Sequence, residues 1–133
     1  MQQAILDLIA RLGGGVSFIE LCQRVEGFAG PHACTLNGHV VLWQGVSDAG
    51  IEALSQLQAN GQIAFVACSP LVYLIDGQML RLPIAKRRHH AYKRPHWYPV
   101  TLSTPAQVSA HTAPLRQPRR QRKATREHVR RLA

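Results

Sequence analysis

Apolar positions recur with helical spacing at the start of the chain. Ile5, Leu8, Ile9 and Leu12 stand at i, i+3, i+4 and i+7, so they share one face of a first helix that Gly13, Gly14 and Gly15 bring to an end. A second helix is announced by Ser17 and Glu20. At that spacing each side chain can satisfy a backbone N–H left free at a helix start, and Val16 and Leu21 can add a hydrophobic staple. Its inward face reads Phe18, Leu21, Cys22 and Val25, with Gly27 closing it, which places Cys22 in a core rather than in a reactive site.

Residues 28–38 hold Gly30, Pro31, Asn37 and Gly38 and predict a loop, followed by a strand from His39 to Trp43. Ser47 caps a third helix. Asp48 and Glu52 oppose the positive end of its dipole, Ile51, Leu54 and Leu57 form its apolar ridge, and Asn60 and Gly61 stop it. Ile63 to Ala67 then reads as a strand, ended by Ser69 and Pro70. Leu71–Ile75 and Met79–Ile84 read as two strands around Asp76-Gly77, a pair that tolerates the positive φ of a tight hairpin turn.

From Lys86 the pattern turns basic, His-rich and Pro-punctuated. Beyond Pro105 too little apolar periodicity remains to offset chain entropy, so that segment is expected to be disordered when alone. Thr125 to Leu132, capped by Thr125, would form a short basic helix only on binding. The expected class is therefore α+β: a domain over 1–84 with three helices and a small antiparallel sheet, a basic aromatic extension over 85–104, and an Arg-rich flexible tail over 105–133.

The order helix, helix, strand, helix, strand, Asp-Gly turn, strand resembles the winged helix-turn-helix family over roughly residues 3–84. The resemblance is carried by Val16-Ser17, by Ala53-Leu54 and Leu57, by Asn60-Gly61-Gln62-Ile63, and by Tyr73 to Leu82 around the turn. It implies a DNA-binding domain whose third helix reads bases and whose hairpin is the wing. Two features depart from that pattern: about twenty residues, from Gly27 to Val46, separate the second helix from the third, and the third offers Asp48, Glu52, Ser55, Gln56, Gln58 and Asn60 but no Lys or Arg. Gln56, Gln58 and Asn60 are the groups there able to hydrogen-bond base edges; solvated helix surface is the alternative for all three.

Charge sharpens the picture. The net charge is +9. Residues 1–80 carry only Arg11 and Arg24 against six acids, whereas residues 81–133 carry fourteen of the sixteen Lys and Arg against Glu127 alone. Such a block neutralises phosphates and releases their counterions, an affinity for DNA or RNA that needs no particular sequence. The contacts expected from it are Arg81, Lys86, Arg87, Arg88, Lys93 and Arg94 in the extension, and Arg116, Arg119, Arg120, Arg122, Lys123, Arg126, Arg130 and Arg131 in the tail. Trp97 is a candidate to stack on bases, with Tyr98 beside it, although both aromatics would serve equally well in a core.

Other chemistries find little purchase. Cys22, Cys34 and Cys68 are odd in number and unpaired by motif, which fits reduced, buried thiols. Cys22, His32, Cys34 and His39, or His89, His90 and His96, match no standard zinc spacing, and no metal or other cofactor is expected. Gly13 to Gly15 lacks the lysine of a phosphate loop, and His32 with Cys34 is too generic a pair to count as a catalytic dyad, so the reading is not an enzyme. No secretory leader or membrane span is apparent, which gives an expected cytoplasmic location. The sequence thus favours a DNA-binding regulatory or accessory protein, with RNA binding, or a protein–protein interaction module docking through the acidic half, as the alternatives.

Overall fold

A computed structural model describes residues 1–116 and the side chains through residue 110. The fold is α+β, and the described residues form, in order, α1 (Gln2–Leu12), α2 (Phe18–Arg24), β1 (Ala29–Asn37), β2 (Val40–Val46), α3 (Asp48–Ala59), β3 (Ala64–Ala67), α4 (Pro70–Ile75), β4 (His96–Trp97), β5 (Val100–Ser103) and α5 (Pro105–Arg116). None of the described helices is long and apolar enough to cross a membrane.

The first two helices form as their sequences dictate. Ile5, Leu8 and Ile9 bury the inner face of α1, and Gly13 closes it in the left-handed region at φ 76°. Ser17 and Glu20 form the reciprocal cap of α2, Ser17 Oγ accepting from the Glu20 amide at 3.1 Å and Glu20 Oε1 accepting from the Ser17 amide at 3.0 Å. Ser47 likewise caps α3 by accepting from the Gly50 amide at 2.9 Å.

Two small sheets share one core. β2 is the centre of a mixed sheet, antiparallel to β1 and parallel to β4, and β3 pairs antiparallel with β5. Backbone bonds from Val16 to Leu102 and back, at 3.0 and 2.8 Å, join the start of α2 to β5. Val40 to Trp43 are all buried, as expected of a strand covered on both faces. The core combines Ile5, Leu8 and Ile9, Phe18 and Leu21, Leu42 and Trp43, Leu54 and Leu57, Tyr73, Trp97, Val100 and Leu102. At its centre the rings of Trp43, Tyr73 and Trp97 lie 4.9–6.0 Å apart, and Tyr73 accepts from the Phe18 amide at 3.1 Å while donating to the Val100 carbonyl. Burial pushes the Tyr73 phenol well above its usual range, so it remains a neutral donor.

Several expectations are corrected. There is no hairpin at Asp76-Gly77: Leu71–Ile75 belongs to helix α4, and Met79–Ile84 forms no strand. Ser69 caps α4 and Pro70 occupies its first turn, where the missing N–H costs nothing. The positive φ of Gly77 ends this helix, with the Gly77 amide on Leu74 O and the Gln78 amide on Tyr73 O. Residues 29–37, expected as a loop, form β1. It is a sheet edge with an irregular register, where Gly30 and Pro31 are tolerated because no outer strand needs an N–H donor from that side, and Pro31 has none to give. Among the described residues the helices number five rather than three, and the sheets are not wholly antiparallel.

The residues set apart as an extension supply β4 and β5, so residue 84 falls inside the core sequence rather than at its end. The chain after Pro105 begins as a helix, because Thr104 and Gln107 make a second reciprocal cap, at 2.9 and 3.1 Å, with Pro105 following the cap residue.

Gly30 marks the tightest backbone approach. A Cβ there would lie 2.5 Å from Ser47 Cα and 2.7 Å from Ser47 N, while Ser47 is itself held by its amide on Phe28 O and its hydroxyl on Gly27 O. Gly30→Ala should therefore destabilise the protein by about 1–3 kcal/mol through overpacking. A denaturant titration checks this; an unchanged midpoint would show that β1 can slide off Ser47 freely.

Candidate nucleic-acid interface

Residues 85–96 leave the core and return to the same point. The Ala85 amide donates to Trp97 O at 2.7 Å and the Trp97 amide to Pro83 O at 2.8 Å, while the amides of His96 and Tyr98 bond His39 O and Val41 O on the β2 side. The segment is thus an Ω-type loop closed at its base and anchored to the sheet. It contains Lys86, Arg87, Arg88, Lys93 and Arg94 with His89, His90 and His96, and no carboxylate.

Tyr92 organises the loop from within. Its hydroxyl accepts the Lys86 amide at 3.0 Å and the Arg87 amide at 3.3 Å, pinning the outgoing limb of the loop to the returning one. Its ring stacks on His96, centroids 4.1 Å apart and planes 21° from parallel, and meets His90 edge-on at 4.6 Å. His96 Nδ1 donates to Arg94 O at 2.8 Å; a carbonyl can only accept, which fixes the proton on Nδ1. Ile84, Lys86, Arg87, His90, Tyr92 and His96 together line a cavity of about 200 Å³.

The sequence-predicted cations divide into groups. Lys86, Arg87, Lys93 and Arg94 are exposed on the loop, and Arg81 is exposed outside the cavity. Arg88 instead turns inward: Nη2 donates to Phe65 O at 3.0 Å, its guanidinium lies over the Tyr98 ring, and its buried Nε has no partner among the described residues. Arg116 is the last residue of α5, and Arg119, Arg120, Arg122, Lys123, Arg126, Arg130 and Arg131 lie outside the described residues, as does the helix expected at Thr125–Leu132. Among the described residues the one ion pair is His32 with Asp48 at 3.3 Å, so none of the loop cations is neutralised there.

Trp97 is corrected from surface to core. It is fully buried, and its indole N–H donates to Leu42 O at 3.2 Å, which leaves no face on which a base could stack. The exposed face of α3 is partly engaged as well: Gln56 donates to Glu52 at 2.8 Å and accepts from Gln2 at 2.6 Å, Asn60 caps the helix end, and Gln58 lines a separate cavity near Cys34 and Phe65.

The mixture of cations and aromatics over Lys86 to Tyr98 was visible in the sequence, but the assembly of His90, Tyr92 and His96 into one cluster was missed. The spacing of two residues between His90 and Tyr92 and of four between Tyr92 and His96 gave no indication of the loop that brings them together.

The thiols offer little reactivity. All three cysteines are free, and burial pushes those of Cys34 and Cys68 up to about 11, so both stay protonated at neutral pH. No group of three or more metal-ligating side chains is gathered among the described residues.

Compared with known proteins, the chain matches no family model, no curated protein and no solved structure.

Proposed function

We propose that this protein binds nucleic acid through phosphate contacts, as an accessory or regulatory factor, with the loop over 85–96 as its ordered contact surface and the Arg-rich tail as a second one. The observation that carries this reading is the loop itself: four exposed cations with no acidic partner among the described residues, on a loop held by a closed base and by Tyr92, two of them lining a cavity together with three rings. Anchoring matters because a cation on a fixed loop loses less freedom when it meets a phosphate than one on a free chain. Contacts of this kind position a protein on nucleic acid without reading its sequence. Catalysis has no part in the reading.

The experiment compares the full chain with a variant carrying Lys86→Gln, Arg87→Gln, Lys93→Gln and Arg94→Gln across a salt series. The wild type should bind with a steep salt slope and the variant with a shallower one; equal slopes would remove the loop from the interface.

A second reading, contact with another protein, draws on one observation. Leu71, Leu74 and Ile75 on α4 are 62, 54 and 84% exposed, with Met79 exposed beyond them. Absence of any salt-dependent binding to nucleic acid would favour it.

A further inference from the structure

We infer that the loop cavity receives one unpaired nucleotide, the base against the Tyr92–His96–His90 cluster and the adjoining phosphates on Lys86 and Arg87. The inference rests on the nucleic-acid reading above and assigns it a substrate class: single-stranded rather than duplex nucleic acid.

Three observations point this way. First, the cavity brings together both kinds of group that a nucleotide requires, since three of its six lining residues carry rings and two are Lys86 and Arg87. A free phosphate or a flat anionic surface would use the cations and leave the rings without a role. Second, the rings are already assembled: Tyr92 is fixed at its hydroxyl by two backbone amides, and His96 is fixed by Nδ1, so neither has to be ordered when a base arrives. Bases stack on Tyr and His rings when their faces are free, and in a duplex those faces are covered by neighbouring pairs. Third, neither of the two elements that the sequence offered for a duplex groove is suited to one. Major-groove readers insert a helix or a two-stranded ribbon, whereas α3 carries no Lys or Arg, its Gln56 is engaged on both sides, and the hairpin expected at Asp76-Gly77 is a helix end.

The test uses the full chain with a 20-nucleotide oligothymidylate, the matching ribo-oligomer and a 20-base-pair duplex at one salt concentration. The single strands should bind more tightly than the duplex. Tyr92→Leu should weaken single-strand binding by about tenfold or more, the scale of one lost base–aromatic stack, and weaken duplex binding distinctly less. Because that change also removes the hydroxyl latch, Tyr92→Phe provides the control: it keeps the ring and should retain most of the single-strand preference. A 2-aminopurine within the single strand should be quenched on binding to the wild type and much less by Tyr92→Leu.

Equal binding of strand and duplex, or equal weakening of both by Tyr92→Leu, would overturn the inference while leaving the phosphate-binding reading standing. No binding to any of the three probes would overturn both.

Discussion

Trp97→Ala is expected to destabilise the protein by about 3–5 kcal/mol, the range for emptying a large aromatic site in a core. That is a large share of the roughly 5–15 kcal/mol that holds an ordinary domain together. Trp97 has no exposed surface, its ring centroid lies 6.0 and 5.3 Å from those of Trp43 and Tyr73, and its indole N–H donates to Leu42 O, a buried bond that the substitution removes. Its backbone also closes the loop through Pro83 and Ala85. Urea unfolding of the full chain measures the loss. Trp97→Phe should cost distinctly less, because it keeps most of the packing and forfeits mainly the hydrogen bond. A Trp97→Ala protein of unchanged stability that had lost only nucleic-acid binding would return Trp97 to the surface role that its sequence neighbourhood suggests.

Neutralising Lys86, Arg87, Lys93 and Arg94 should have the opposite profile, with affinity lost and stability kept. The logarithm of affinity for single strands falls with the logarithm of salt by about 0.7 per phosphate contacted, so four lost contacts should flatten the slope by about 3. At 0.1 M salt the same arithmetic gives a loss of roughly a thousandfold if all four side chains touch phosphate. The fold should not suffer, because these side chains are exposed, none is in an ion pair among the described residues, and the Tyr92 latch uses the backbone amides of Lys86 and Arg87, which glutamine retains. Fluorescence anisotropy across a salt series, alongside a thermal melt, separates the two effects. An unchanged slope would move the affinity to other cations of the chain.

What could be read from the sequence was what is decided locally. The caps at Ser17 and Ser47 and the apolar face of Ile5, Leu8 and Ile9 depend on residues within one or two turns, and each forms as expected. The errors arose where one local signal serves two structures. Asp76-Gly77 offers a positive φ, which closes a helix as readily as a hairpin, and Ser69-Pro70 decides between them by starting α4. Gly30 and Pro31 signal a loop unless the strand is an edge, and whether it is an edge depends on β4 arriving on the far side of β2.

The same distance hid half of the candidate site. Its cations were visible as a run, but Trp97 enters the core only because residues 96 and 97 pair with Val40 and Val41, more than fifty positions earlier. That pairing also closes the loop and turns Tyr92 from one aromatic among several into the residue that shapes the cavity.

On the proposed function, the loop over 85–96 is where nucleic acid meets this protein. Mapping amide chemical shifts of the isotope-labelled full chain during titration with the 20-nucleotide strand tests it most directly. The changes among residues 1–110 should concentrate between Lys86 and Tyr98, with the latched amides of Lys86 and Arg87 among the largest. Changes concentrated instead on Gln56, Gln58 and Asn60 of α3, with the loop amides unmoved, would contradict it.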